Sequence, residues 1–161
     1  MTIGATAGSE HTNQGEAPSA FRQVEIVRRF YEAFAEGAVS ELFFLTREDV
    51  DLGAPMAFGL PMGGRCRGRS QLAAFFELLR GAVAVTHFEV RDVVERGDVV
   101  LVSGAASGFA PRTGRAFETG WTHVFTMRGG RIARLRAFFD RNAVAGAFSR
   151  ASTHKPTQRA A

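Results

Sequence analysis

Several residue types are scarce in this chain, and each scarcity excludes something. There is one cysteine, Cys66, so no internal disulfide can form, and the sequence fits a reducing, cytoplasmic setting. No apolar run approaches the ~20 residues that cross a bilayer, so no membrane association is expected. Residues 1–18 lack the basic start and apolar block of a secretory signal. Of the 4 histidines, His11 and His154 lie in the tails. His87 and His123 have no ligand-like spacing to each other or to a carboxylate, so no metal is expected. Gly63-Gly64 precedes a helical pattern but lacks the lysine and the spacing of a phosphate loop. Ser103 and Ser107 stand in no defensible order with a His–Asp pair. No cofactor is expected. Lysine is almost absent: all but Lys155 of the 20 basic residues are arginine. The arginines run from Arg22 to Arg159 and are not collected in a tail or interleaved with aromatics, so no nucleic-acid partner is expected despite the net charge of +4. Arg65, Arg67 and Arg69 form the tightest group.

What is present suffices for one core. At 45% apolar residues, with 15 phenylalanines, a chain of 161 residues makes a single domain. Residues 1–18 and 151–161, rich in small and polar residues, read as disordered tails around a domain over 19–150. Ser19 caps a first helix in which Phe21, Val24, Val27, Phe30, Tyr31 and Phe34 recur at helical spacing. Gly37 stops it. A short helix follows over Val39 to Leu45, then a polar turn over Thr46 to Asp49 and a short strand, Val50-Asp51-Leu52. Gly53 to Gly64 reads as a loop that is apolar enough, through Met56, Phe58, Leu60 and Met62, to line a pocket. A third helix begins at Arg69 or Ser70, carries Leu72, Phe75, Phe76 and Leu79 as one stripe, and ends at Gly81.

From Thr86 the period changes to two. Strands are expected over Thr86 to Glu95, Val99 to Phe109, Arg115 to Met127 and Arg131 to Phe139, joined by tight turns such as Arg128-Gly129-Gly130-Arg131. The stretch Ser103 to Gly108 is all small residues, which lets a strand bend or another group approach closely. A short helix over Arg141 to Phe148 ends the domain. The order predicts an α+β fold, a curved antiparallel sheet forming a cone closed by the N-terminal helices, whose mouth would take a small molecule.

Three stretches resemble a known family when taken in order. Phe30 to Gly37 (Phe-Tyr-Glu-Ala-Phe-Ala-Glu-Gly) is similar to the first-helix signature of the nuclear transport factor two-like superfamily. So is Arg67 to Phe76 (Arg-Gly-Arg-Ser-Gln-Leu-Ala-Ala-Phe-Phe). So is the hairpin from Trp121 that ends Arg-Ala-Phe-Phe-Asp at Asp140. The chain most resembles the SnoaL-like branch, with its polyketide cyclases and relatives of ketosteroid isomerase and limonene-epoxide hydrolase. The resemblance implies a cystatin-like roll, a small hydrophobic metabolite and a homodimer. It does not carry over most catalytic groups. The places of the isomerase tyrosine, base and protonated aspartate hold Phe30, Ala54 and Thr122. A cyclase base would fall at Ala137, while the histidine of that site corresponds to His123. Of the hydrolase set only Asp140 survives. Leu52 and Ala54 stand for its tyrosine and asparagine, and the uncharged stretch Ser103 to Ala106 for its Arg-x-Asp.

The residues expected to work are therefore Asp140, as base or acid at the pocket mouth, with His123 and Tyr31 assisting. Leu52, Ala54, Met56, Phe58, Trp121, Thr122 and Phe139 are the expected walls. A carboxylate in an apolar cleft becomes a stronger base, but an aspartate just before a helix also serves as its cap. His123 alternates with Trp121 and Phe125. That face either lines the cone or forms an outer dimer patch, and alternation alone does not decide which. The expected function is a cofactor-independent acid/base enzyme of cyclase, isomerase, dehydratase or epoxide hydrolase type. The alternative is a small-ligand-binding or dimerisation module without catalysis.

Overall fold

The computed structural model describes residues 19–54 and 64–149. They form α1 (Ser19–Glu36), α2 (Val39–Leu45), β1 (Thr46–Gly53), β2 (Arg65–Arg67), α3 (Gly68–Ala82), β3 (Ala84–Arg96), β4 (Val99–Ala110), β5 (Arg115–Arg128), β6 (Arg131–Phe139) and α4 (Arg141–Phe148). The strands make one 6-stranded sheet in the order β2-β1-β6-β5-β4-β3. β3 to β6 are an antiparallel meander. β1 is antiparallel to β2 but parallel to β6. The fold is α+β as expected, yet the sheet is mixed and open where an all-antiparallel one was predicted.

Two local expectations change as well. Thr46 to Asp49 is not a turn: β1 begins at Thr46, directly after α2, and its buried residues Thr46, Val50 and Leu52 face the core. β2 was not foreseen; its one inward residue is Cys66.

All four helices lie on one face of the sheet. Along β5, Phe117, Trp121, Phe125 and Met127 are buried, and along β4 so are Val100, Val102 and Ala106. These inward residues meet Val27, Phe30 and Ala33 of α1, Leu42 and Leu45 of α2, and Leu72, Phe75 and Phe76 of α3 in one core. Phe30 is its hub, with edge-on contacts to Phe76 and Phe125. A second, smaller cluster seats α4 through Val144 and Ala147 on Ala110 and Phe117.

Irregularities set the curvature. β6 carries an extra residue between Ile132 and Arg134, which places both Ile132 and Leu135 on the inner face despite their spacing of three. β3 is bulged twice, between Val85 and His87 and between Val90 and Asp92. Opposite these bulges stand Gly108 and Gly104. A Cβ on Gly104 would lie 1.8 Å from the Glu89 carbonyl oxygen and 2.7 Å from Cζ2 of Trp121. One on Gly108 would lie 2.1 Å from the Ala84 carbonyl oxygen. The small-residue stretch of β4 thus admits the β3 backbone and one flat indole.

Candidate functional site

The residues expected to act separate into two places. Tyr31 and His123 come together. Tyr31 sits on α1 one position beyond Phe30, at the edge of the apolar stripe, and its phenol reaches across to β5. Its hydroxyl and Nδ1 of His123 are hydrogen-bonded at 2.8 Å, with the two rings nearly parallel at 5.8 Å. His123 therefore faces the helices, on the same side as buried Trp121 and Phe125, and the outer-patch alternative for this face does not hold.

The pair lies in an aromatic wall. Around Tyr31 are Phe30, Phe88, Trp121 and Phe125, with ring centroids 5.7–6.2 Å away. Trp121 lies 4.6 Å from His123, and Phe88 of β3 stacks on Trp121 at 4.5 Å, 12° from parallel. Beside His123 the neighbouring strands present Val102 and Ala137. Burial in this wall pulls the imidazole from its ordinary value near 6.5 down to about 4. Burial also pushes the Tyr31 phenol up. Both groups are neutral at pH 7, so they share one hydrogen bond in either of two ways. The phenol O–H donates to Nδ1, or Nδ1–H donates to the phenol oxygen and leaves its O–H free for another acceptor.

Asp140 is elsewhere. It ends β6 and is exposed at the start of α4, where its Oδ1 accepts from the backbone N–H groups of Asn142 at 2.9 Å and Ala143 at 3.2 Å. Its own N–H donates to Oγ1 of Thr119 at 3.1 Å. The expected apolar cleft around this carboxylate is not there: the side chain is the helix cap.

The expected walls divide likewise. Trp121 and half-buried Phe139 are on the inner face, paired across β5 and β6. Leu52 is fully in the core, and Ala54 packs against it. Thr122 points to the outer face, opposite to the His123 side chain. There it borders a shallow hollow of about 450 Å³ that Trp121 and Phe139 also line, together with Arg91, Asp92, Ser103, Gly104, Gly120 and Phe138. Met56 and Phe58 lie outside the described residues. Sequence reading placed Phe125 on the face of His123 but missed Phe88 as a neighbour of the pair. The signal was the period-two pattern, which gives a face but not which ring meets which.

One charged cluster also emerged. Asp51 is largely covered on the outer face, with Arg136 at 2.7 Å, Arg65 at 3.2 Å and Arg134 at 4.0 Å. Hydrogen bonding from Arg136, then from Arg65, holds its carboxyl down at about 2. Among the described residues no group of three or more His, Cys, Asp or Glu is arranged to hold a metal ion, and no helix is long and apolar enough to cross a membrane.

Comparison with known proteins adds the following. The family model of the SnoaL-like domain matches residues 27–135. No curated protein matches the chain. Among solved structures, an NTF2-like protein of Burkholderia xenovorans is 30% identical, with a TM-score of 0.74 over 80% of this chain and 97% of that one. A Jannaschia protein named for SnoaL-like polyketide cyclases is 21% identical, with a TM-score of 0.69 over 84% of this chain and 97% of its own. A Catenulispora acidiphila protein with a ketosteroid isomerase-like fold, in complex with trimethylamine, is 18% identical, with a TM-score of 0.64 over 76% of this chain and 91% of its own.

Proposed function

The chain belongs to the SnoaL-like domain family, and on that footing we propose that it is a cofactor-independent enzyme acting on a small apolar metabolite, with Tyr31 and His123 as its working pair. The observation that carries this reading is the 2.8 Å hydrogen bond between the Tyr31 hydroxyl and His123 Nδ1 inside an aromatic wall. The reaction class is one in which negative charge grows on a substrate oxygen: isomerisation or cyclisation next to a carbonyl, dehydration, or epoxide opening. With the ring proton on Nδ1, His123 donates to the phenol oxygen while the phenol O–H donates to the substrate oxygen. Two neutral donors in series then meet the developing charge in a site of low polarity, where such a contact is worth most. A histidine pulled down to about 4 is a weak base, so its part here is donor and relay. One solved neighbour of the same fold is named for polyketide cyclases, a reaction type of this class.

Asp140 is not assigned the base role. Its carboxylate is exposed and already accepts two backbone N–H groups. Tyr31→Phe is expected to lower kcat by about a hundredfold, with KM little changed, as for loss of one preorganised donor. Asp140→Asn is expected to keep kcat within about threefold, because Asn also caps helices well. The measurement is steady-state turnover on a panel of small ketones and epoxides, with circular dichroism checking the fold. Equal kcat for Tyr31→Phe and wild type sinks the assignment.

A second reading, a binding module without turnover, draws on one observation. The inner-face neighbours of His123 are Val102 and Ala137, which cannot titrate. Binding of a ketone that is never converted, by a protein in which Tyr31→Phe only weakens affinity, identifies this case. We also propose that the chain forms a homodimer through the outer face of its sheet, where Phe109 and Phe138 are exposed.

A further inference from the structure

We infer that Trp121 orients the ligand: its indole N–H donates to a neutral oxygen or nitrogen acceptor on an uncharged, flat, aromatic molecule held beside Tyr31 and His123. The inference rests on the small-metabolite reading above and narrows it to a ligand class and one specificity-determining residue. Three independent features lead there.

The first is an unanswered donor. Trp121 is only 6% exposed, and its Nε1 is a buried polar atom with no hydrogen-bond partner among the described residues. Tryptophan can only donate through this atom, and a buried donor is almost always paired in a native protein. A core that needed only bulk at this place would be served by phenylalanine, of which the chain has 15.

The second is the effort spent on seating the indole. Trp121 pairs across β5 and β4 with Gly104, and a Cβ there would lie 2.7 Å from Cζ2. The strand beside the indole has been reduced to hydrogen, which gives the ring room to lie against it; the Glu89 carbonyl oxygen, 1.8 Å from such a Cβ, makes the same demand. Phe88, from β3, and the His123 ring pack close on it at 4.5 and 4.6 Å.

The third is the absence of formal charge on the side chains described beside it on the inner face; Arg91 and Asp92 share a hollow with Trp121, but together with Thr122 and Phe138 of the outer face. The rings at hand are Tyr31, Phe88 and His123, and the strand positions paired with Trp121 are Gly104 and Phe139. An anionic ligand would leave water and meet no cation, at heavy cost. Flat aromatic ligands match the offset and edge-on packing already made by these rings. What such a ligand must bring is one acceptor in the plane of the indole.

Trp121 is the only tryptophan, so its indole N–H gives a single side-chain signal in a ¹H–¹⁵N correlation spectrum of the wild-type chain. Three isosteric molecules serve as probes: 2-acetylnaphthalene, 2-isopropenylnaphthalene and 2-naphthoate. The ketone is expected to move the indole proton downfield and slow its exchange with solvent. It is also expected to bind about tenfold more tightly than the hydrocarbon or the carboxylate, the factor that one net hydrogen bond supplies. In Trp121→Phe the preference of ketone over hydrocarbon falls to about one. A signal that stays still, moves equally with ketone and hydrocarbon, or answers best to the carboxylate overturns the inference, as does binding by none of the three. The first measurement needs no variant, so a poorly folded Trp121→Phe leaves it decisive. Tyr31→Phe, which tests the proposed chemistry, is expected to leave the indole shift in place. Loss of turnover and loss of the shift are therefore separate failures.

Discussion

His123 must be neutral to sit where it does, and that has a measurable consequence. Its folded pKa is about 4, below the ordinary 6.5. Between these values the unfolded chain binds a proton that the folded chain refuses. Stability is therefore complete above about pH 6.5 and falls as the pH drops towards 4. The loss is expected to reach roughly 2–3 kcal/mol. In His123→Asn, which keeps a polar group for Tyr31 but does not titrate, this part of the slope is expected to vanish. Urea denaturation at a series of pH values between 4 and 7 measures it, and parallel profiles for wild type and variant would show that His123 carries no such cost. Asp51, held at about 2, acts in a separate and lower window, where its contribution is lost as the pH falls through that value. Both Tyr31 and His123 were legible as candidates from residue type and spacing. Their contact was not, because it joins positions 92 apart and depends on how α1 crosses the sheet. Asp140 was legible both as a carboxylate at a strand end and as a cap; only its surroundings decide, and they are polar and exposed.

At the scale of elements, what was legible was local. Gly37, with φ of +70°, stops α1, and Gly129-Gly130, with φ of +57° and +70°, turns β5 into β6, as the sequence pattern predicts. The bounds of α2, β6 and α4 follow from their apolar periods. The features that escaped are pairings between distant segments: the parallel contact of β1 with β6, and β2, a strand of 3 residues with no period to read. The polar run Thr46-Arg47-Glu48-Asp49 resembles a turn because its strand character comes from neighbours, not from its own side chains. Small residues in β4 were a clear signal with an unspecified cause, and the cause is testable. Gly104→Ala is expected to destabilise by about 2 kcal/mol or more, because the new methyl meets the Glu89 carbonyl oxygen and the Trp121 ring rather than a flexible chain end. Gly120→Ala, whose nearest contact would be 3.9 Å away, is expected to be neutral within about 0.5 kcal/mol. Thermal and urea unfolding of the two variants give the comparison. Equal stability would mean that the β3 bulge relaxes freely and that Gly104 does not fix the indole.

At the scale of the molecule, four helices cover one face of the sheet and leave the other to solvent. That open face has a pattern. Towards the β1–β6 side stand Arg65, Arg134 and Arg136, which outnumber the one carboxylate among them, Asp51. Towards the β3–β5 side stand Glu89, Asp92 and Glu118, the first of them paired with Arg91. Between them Phe138, 53% exposed, rises beside the hollow floored by Ser103, Gly120 and Thr122. A two-fold axis through the middle of such a face would set arginines against carboxylates twice and give each Phe138 a hollow to enter, which is what a self-complementary contact requires. The proposed homodimer is expected to sediment as a dimer at micromolar concentration and low salt, and to weaken as salt rises, since exposed charges set its register. Phe138→Arg is expected to give a monomer with an unchanged melting temperature when both proteins are compared at dilutions where wild type is also monomeric. Only monomer at micromolar concentration, or a dimer indifferent to Phe138→Arg, would move the interface off this face. Apolar surface is also exposed on the inner side of β3, where Phe88 and Val90 lie at the edge of the aromatic wall around Tyr31, His123 and Trp121. Pairing through the outer face would leave that edge free for a ligand, so the two surfaces need not compete and dimerisation is expected to leave ketone affinity unchanged.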